Sequence, residues 1–204
     1  MTHRTETLNS ILPEQKDGTI SSVVVLPERM EFETQNPNEQ VYILLRRHIF
    51  SNIGWVLGNV ILAVIPLVLF IILNWLSMDF LGDFSIKMSY ILVAACIWYL
   101  FLITRSFMGF LDWYFNIYLV TNERVIDFDF NAFAYHKISE TGLENIVDAT
   151  QETIGFFPMI FNYGDVYIQT AGERREFDFL AVTNPSWVRD KIMDLRDLVK
   201  ETPK

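Results

Sequence analysis

Two long apolar blocks dominate the pattern of this chain. Residues 53–73 carry no charge over 21 positions, residues 88–103 carry none over 16, and the second block continues past Thr104 and Arg105 through 107–111. Between them, 77–87 is a polar break holding Asp79, Asp83 and Lys87. Roughly 20 consecutive apolar residues cross a bilayer core, and an Arg near a helix end can extend its head to the headgroups. The pattern therefore predicts a membrane hairpin, with spans at about 50–76 and 88–110. Two buried helices of a soluble core would be the alternative, but the remaining chain is too short to wrap both.

After Asp112 the period changes to two. Residues 113–120 and 124–130 read as strands around a Thr121, Asn122, Glu123 turn. The alternation sets Ile126, Phe128 and Phe130 on one face, with Val125, Asp127 and Asp129 on the other. Further strands are predicted at 134–138, 146–153, 165–170 and 174–179, a spacing that suits a barrel or sandwich. Asn184 and Pro185 then open an amphipathic helix with Trp187, Val188, Ile192, Leu195, Leu198 and Val199 along one side. Packing of that helix over a barrel opening is the expectation.

Ahead of the hairpin, residues 1–37 read as a flexible cytosolic tail, and no charged-then-apolar leader pattern opens it. The run 23–26 is its one apolar stretch, with a docking or edge strand as the minority reading. Residues 38–111 form the anchor, beginning with a short lead-in helix that runs from about Glu39 through Arg47. Residues 112–200 make the soluble domain, and 201–204 a tail.

Arg46, Arg47 and His48 precede the first span and Arg105 closes the second, which predicts a plasma (inner) membrane protein with two spans and both termini cytoplasmic. Formal charge is −9 overall, and residues 112–204 hold 9 basic against 16 acidic side chains. An acidic domain is repelled by an anionic leaflet and by nucleic acid. Cys96 is the single cysteine and falls in the second span, so neither an intrachain disulfide nor a thiolate metal site is available.

No catalytic, cofactor-binding or metal-ligating set is legible. His3, His48 and His136 are scattered, and HExxH, GxSxG and phosphate-cradling glycine loops are missing from the sequence. Neither span carries a central carboxylate or histidine, so a transporter is not expected. The candidate contact residues are of other kinds. Gly54 and Gly58 are spaced for helix packing, against the second span or in a dimer seam. Trp113 and Tyr114 stand where an interfacial aromatic belt would be. Arg124 is the one cation of the first hairpin turn, and a structural ion pair is its expected use. Phe156, Phe157, Met159, Ile160 and Phe161, with Pro158 among them, form an apolar run that must be covered by the barrel mouth, the bilayer interface or a partner, with the barrel mouth expected first.

The series Asp112-Trp113, Tyr118 to Ile126 (YLVTNERVI), Leu143 to Asp148 (LENIVD), Tyr163 to Val166 (YGDV), Thr170-Ala171-Gly172 and Asn184-Pro185 resembles the bacterial membrane-anchored pleckstrin-homology-like family of the YdbS-like type. The resemblance covers about residues 38–200. It implies an α+β fold, a two-helix transmembrane hairpin followed by a bent barrel or sandwich capped by the C-terminal amphipathic helix. It implies a binding or scaffolding module and no catalytic activity. The expectation is a cytosol-facing scaffold integral to the lipid bilayer, with an unidentified protein partner, possible self-association and no nucleic acid. Membrane-surface or lipid sensing through 156–161 is the alternative.

Overall fold

A computed structural model describes residues 12, 22–27, 32, 34–79, 88–131, 135–171 and 176–201. The chain divides into two compact units, Asn52–Leu111 and the combination of Met1–Ser51 with Asp112–Lys204.

The first unit is a pair of helices, α1 (Ile53–Asp79) and α2 (Met88–Phe115, which runs on into the second unit). At about 1.5 Å per residue each is ~40 Å long, enough for a bilayer core of ~30 Å. The two candidate spans, Ile49–Ile72 and Ser89–Phe115, have only 6% of their most apolar window buried, so their Leu, Ile, Val and Phe side chains face outward on nearly every side. A water-soluble helix pair cannot present such a surface. This is a membrane protein.

Polar contacts join the helices. Pro66 has no N–H to give to the Leu62 carbonyl one turn earlier, and the Trp98 indole N–H donates to that carbonyl instead, at 3.0 Å. Tyr99 donates to Ala63 O at 3.0 Å. Asn59, buried, donates to Ser106 Oγ at 2.8 Å and accepts from Arg105, so Arg105 is engaged within the helix pair. Close approach occurs where the Trp55 ring lies 3.2 Å from the position a Cβ on Gly109 would take. Gly54 and Gly58, expected to pack against the second span, face open space, with nothing within 4 Å of a Cβ on either. A bulky Trp against Gly109 makes the close approach there, and the two spaced glycines fall outside it.

The second unit begins earlier than the pattern suggested. Residues 41–46, expected as part of a lead-in helix, are strand β2 (Val41–Arg46), and β1 (Val23–Val25) pairs with it antiparallel. β2 in turn pairs with β3 (Ile117–Thr121), with Arg46 opposite Ile117. The helix pair is thus an insertion between two neighbouring strands of one sheet. β4 (Arg124–Asn131) and β5 (Tyr135–Gly142) complete a five-stranded antiparallel sheet in the order β1-β2-β3-β4-β5. β6 (Ile146–Glu152), β7 (Tyr163–Thr170) and β8 (Glu176–Thr183) form a second, three-stranded sheet. A short helix, α3 (Phe156–Phe161), joins β6 to β7, and α4 (Pro185–Glu201) follows β8. Two antiparallel sheets and one C-terminal helix make the pleckstrin-homology-like α+β architecture.

The main core lies between the sheets and α4. Ile43, Leu45, Tyr118, Val120 and Val125 come from the first sheet, Val166, Ile168 and Phe179 from the second, and Val188, Ile192 and Leu195 from α4. Leu12 is buried in the same core. On the other face of the first sheet, Val41, Leu44, Leu119 and Ile126 are covered by Val24 and Phe32. Burial on both faces makes β2 a continuous apolar run with no alternation, which looks the same as a short buried helix. The described residues of the expected tail, Leu12, 22–27, 32 and 34–37, therefore belong with the domain, and the rest of 1–37 lies outside the described residues. Arg196 and Lys200 of α4 donate to the carbonyls of Val147 and Ile146, at 2.8 and 3.2 Å.

Candidate functional site

The apolar run after β6 is a six-residue helix. Gly155, at φ 112°, lets the chain turn into it, and Asn162 in the left-handed region ends it. The expected burial in the barrel mouth does not occur. Phe156 and Met159 are each 73% exposed and Ile160 is 58% exposed, with Ile154 beside them at 74%. A six-residue segment is too short to turn every apolar side chain inward; Phe161 is the ring that turns in, while Phe157 is 40% exposed. Phe161 stacks on Phe50 with centroids 3.7 Å apart, and His48 stacks on both Phe50 and Tyr163, at 5.6 and 4.9 Å. Burial in this stack holds the His48 imidazole pKa below its usual value. Phe50 belongs to the 3₁₀ turn Ile49–Asn52 that leads directly into α1, and Ile49 in that turn is exposed.

Trp113 and Tyr114, expected on a strand, lie in the last turn of α2, because a run of β-forming aromatics is equally able to continue a helix. The Trp113 indole donates to Arg47 O at 2.8 Å, and the Arg46 guanidinium lies over the Tyr114 ring at 5.4 Å. These rings fix the chain on either side of the insertion.

Arg124 is fully engaged. Its Nε and Nη2 donate to the two oxygens of Glu39 at 2.9 Å each, Nη1 donates to Glu140 at 2.5 Å, Nη2 also reaches Thr34 O at 2.5 Å, and Phe32 lies beneath the guanidinium at 5.9 Å. Glu39 further accepts from Thr121 Oγ1 and from Asn36 N–H, at 2.8 and 2.9 Å. Burial pushes the Glu39 pKa up, and the bonds from Arg124, Asn36 and Thr121 outweigh it, holding the carboxyl below its usual value. An Arg spent in this way clamps residues 34–39 to the first hairpin and has little left for a phosphate.

A second feature was not legible in the strand pattern. Asp127 and Asp129 share their face of β4 with Val125, which is completely buried, so they point between the sheets and away from open solvent. Where the sheets part, a cleft of 220 Å³ is lined by Arg47, Tyr118, Asp127, Asp129, Lys137, Ser139, Phe177, Asp178 and Leu180. The Tyr118 ring is buried against Phe179, and its hydroxyl accepts from Leu180 N–H at 3.0 Å and Arg47 Nε at 3.4 Å. Burial, and then the Asp129 charge, push the Asp127 carboxyl up to about 6. The signal that could have found this site is a pair of carboxylates in phase with a core valine.

That shift has a thermodynamic sign. Between the unfolded value of 3.8 and the folded value of about 6, the native state binds the proton more tightly, so stability falls as pH rises through this window. Asp127→Asn is expected to raise stability at pH 7 by about 1–2 kcal/mol, a figure discounted for the solvent that reaches the group. The gain should vanish near pH 4 in unfolding measurements at the two pH values.

No family model matches this chain, and no curated protein does. Among solved structures, the chain is similar to the crystal structure of a DUF1696 family protein with a pleckstrin-homology domain from Shewanella loihica PV-4. The identity is 18%, over 40% of this chain and 70% of that one, with a TM-score of 0.31. The pleckstrin-homology-like fold follows from this chain's own strand order and terminal helix.

Proposed function

We propose that this chain is a non-catalytic, membrane-anchored pleckstrin-homology-like module that works at the bilayer surface, with the outer face of α3 in contact with the interfacial lipid. The observation that supports this reading most is the uncharged, exposed face of Phe156, Phe157, Met159 and Ile160, held through the Phe161–Phe50 stack to the turn that opens the first span. Phe50 is bonded through a few residues to a helix of bilayer length, so α3 is tethered close to where the chain enters the membrane. An apolar helix face at that depth gains free energy by burial among headgroups and upper acyl chains.

The two-helix anchor and the pleckstrin-homology-like unit keep the YdbS-like type as the proposed family, although β2 lies ahead of the hairpin where the resemblance implied the whole barrel after it. Strands from both sides of the insertion share one sheet, which favours two spans with both flanks on one side of the membrane. Arg46 and Arg47 beside the first span favour the cytoplasmic side and the inner membrane. Scaffolding of a protein partner is the competing use of the α3 face, and the bilayer is preferred because of the Phe50 tether. In native membranes, photoactivatable lipids should label residues 154–161 of the full chain, and Phe156→Glu with Met159→Glu should cut that labelling several-fold. Undiminished labelling, or protein crosslinks in place of lipid adducts, would count against the lipid contact.

A further inference from the structure

The cleft between the sheets carries charges of both signs, and the lipid contact of α3 leaves it unexplained. Asp127 accepts no hydrogen bond among the described residues, although its carboxylate is largely withdrawn from water. Water still reaches its oxygens through the cleft, so an N–H donor from outside has access to them. Tyr118 adds a second unspent group. Its side chain is 1% exposed, its oxygen accepts from Arg47 and Leu180, and no described residue accepts its proton. A buried O–H beside a guanidinium is suited to an anionic oxygen.

We propose that this cleft binds a small zwitterion, its ammonium group held by Asp127, with Asp129 and Asp178 adding negative charge at that end of the cleft, and its anionic group met by Arg47, the Tyr118 hydroxyl and Lys137. A phosphoethanolamine unit has this chemistry, whether free in solution or as the headgroup of a phospholipid. A volume of 220 Å³ lies below the ~300–1,000 Å³ of drug-sized sites and fits a headgroup-sized ligand. Among the described residues no three His, Cys, Asp or Glu converge as a metal ion would require. A purely anionic headgroup would be opposed by the three carboxylates, and a plain diamine by Arg47 and Lys137.

Ionisation of Asp127 governs the ammonium end, with Asp129, Asp178, Lys137, Arg47 and the Tyr118 hydroxyl as the charged and titratable groups that face it. Binding should therefore weaken as pH falls below about 6.

Calorimetric titration of the full chain in phosphatidylcholine nanodiscs with phosphoethanolamine tests the free form. Nanodiscs carrying a photoactivatable phosphatidylethanolamine test the lipid form. Binding in either arm, weakened about tenfold or more by Asp127→Asn through loss of a charge-assisted bond, is the expected result; in the lipid arm, where the phosphodiester keeps one charge throughout, binding should weaken again from pH 7.5 to 5 only in the wild-type chain. Success of the first arm alone identifies a soluble ligand, and success of the second alone a headgroup. Because Asp127→Asn is expected to stabilise the fold, a loss of binding cannot come from unfolding; Lys137→Ala should weaken phosphoethanolamine and strengthen putrescine. Equal binding by wild type and Asp127→Asn, putrescine binding as tightly as phosphoethanolamine, or no binding in both arms would overturn the proposal. None of these outcomes depends on where α3 sits.

Discussion

Gly164→Ala is expected to destabilise the soluble unit by about 3 kcal/mol or more, the upper end of what an added core methyl costs. A Cβ at this position would lie inside contact distance of Glu152 O and 2.6 Å from Thr153 Oγ1. One of those neighbours is main chain, so a rotamer change cannot relieve the clash and the end of β6 must move away from β7. The sequence places Gly164 in a Tyr-Gly-Asp step and suggests a conformational role, yet the requirement is close approach. It sits where the β7–β8 register shifts, with Asp165 next to it accepting from Ala181 N–H at 2.7 Å. Gly142→Ala is the matched control, because its Cβ would meet only ordinary contacts with the Asn145 and Glu144 side chains, at 3.4 and 3.6 Å. Unfolding of the two variants in the same detergent, followed by tryptophan fluorescence, should separate them widely. Equal midpoints would show that β6 yields freely.

Arg124→Ala is expected to cost about 3 kcal/mol, because it strands a carboxylate in the interior. The Glu39 side chain is 0% exposed and that of Arg124 14%. Without the guanidinium, Glu39 keeps only Thr121 Oγ1 and Asn36 N–H. Lysine should restore little, since a single ammonium cannot reproduce the two-pronged contact. Combining Arg124→Met with Glu39→Gln should recover much of the loss, because no charge is then left unpaired. The pH dependence has the opposite sign to that of Asp127. The folded Glu39 pKa is lowered, so its contribution is present above the usual value of 4.5 and is lost as pH falls below it. Arg124→Ala should therefore flatten the acid limb of the stability curve.

The spans could be read directly, since a charge-free block of bilayer length seldom occurs outside a membrane. The C-terminal helix was equally plain, with Val188, Ile192 and Leu195 recurring on one face. β2 was not, because Val41 to Leu45 are all buried and a strand without alternation carries no period. Losing β2 also hid the insertion of the hairpin into the sheet, and shifted the domain's start to Asp112. Aromatic residues 113–115 continued the helix where a strand was expected, since their β preference is weak beside the helix already in progress. The run at 156–161 was conspicuous as sequence, but whether it lay in or on the barrel depended on Phe161 finding Phe50 across more than a hundred residues. Asp127 and Asp129 were placed with Val125 on one face of their strand, with nothing to say what covers it. The second sheet lies over that face, and a single-strand pattern cannot show it.

The membrane seat of α3 is tested most directly by a spin label at Met159 in the otherwise cysteine-free full chain, reconstituted in nanodiscs. Its collision rates with oxygen and with a water-soluble nickel chelate report depth. The label should be as protected from nickel as one at the headgroup level of a span and much more so than one at Asp197, on the exposed side of α4. Equal nickel access at Met159 and Asp197 would contradict the account.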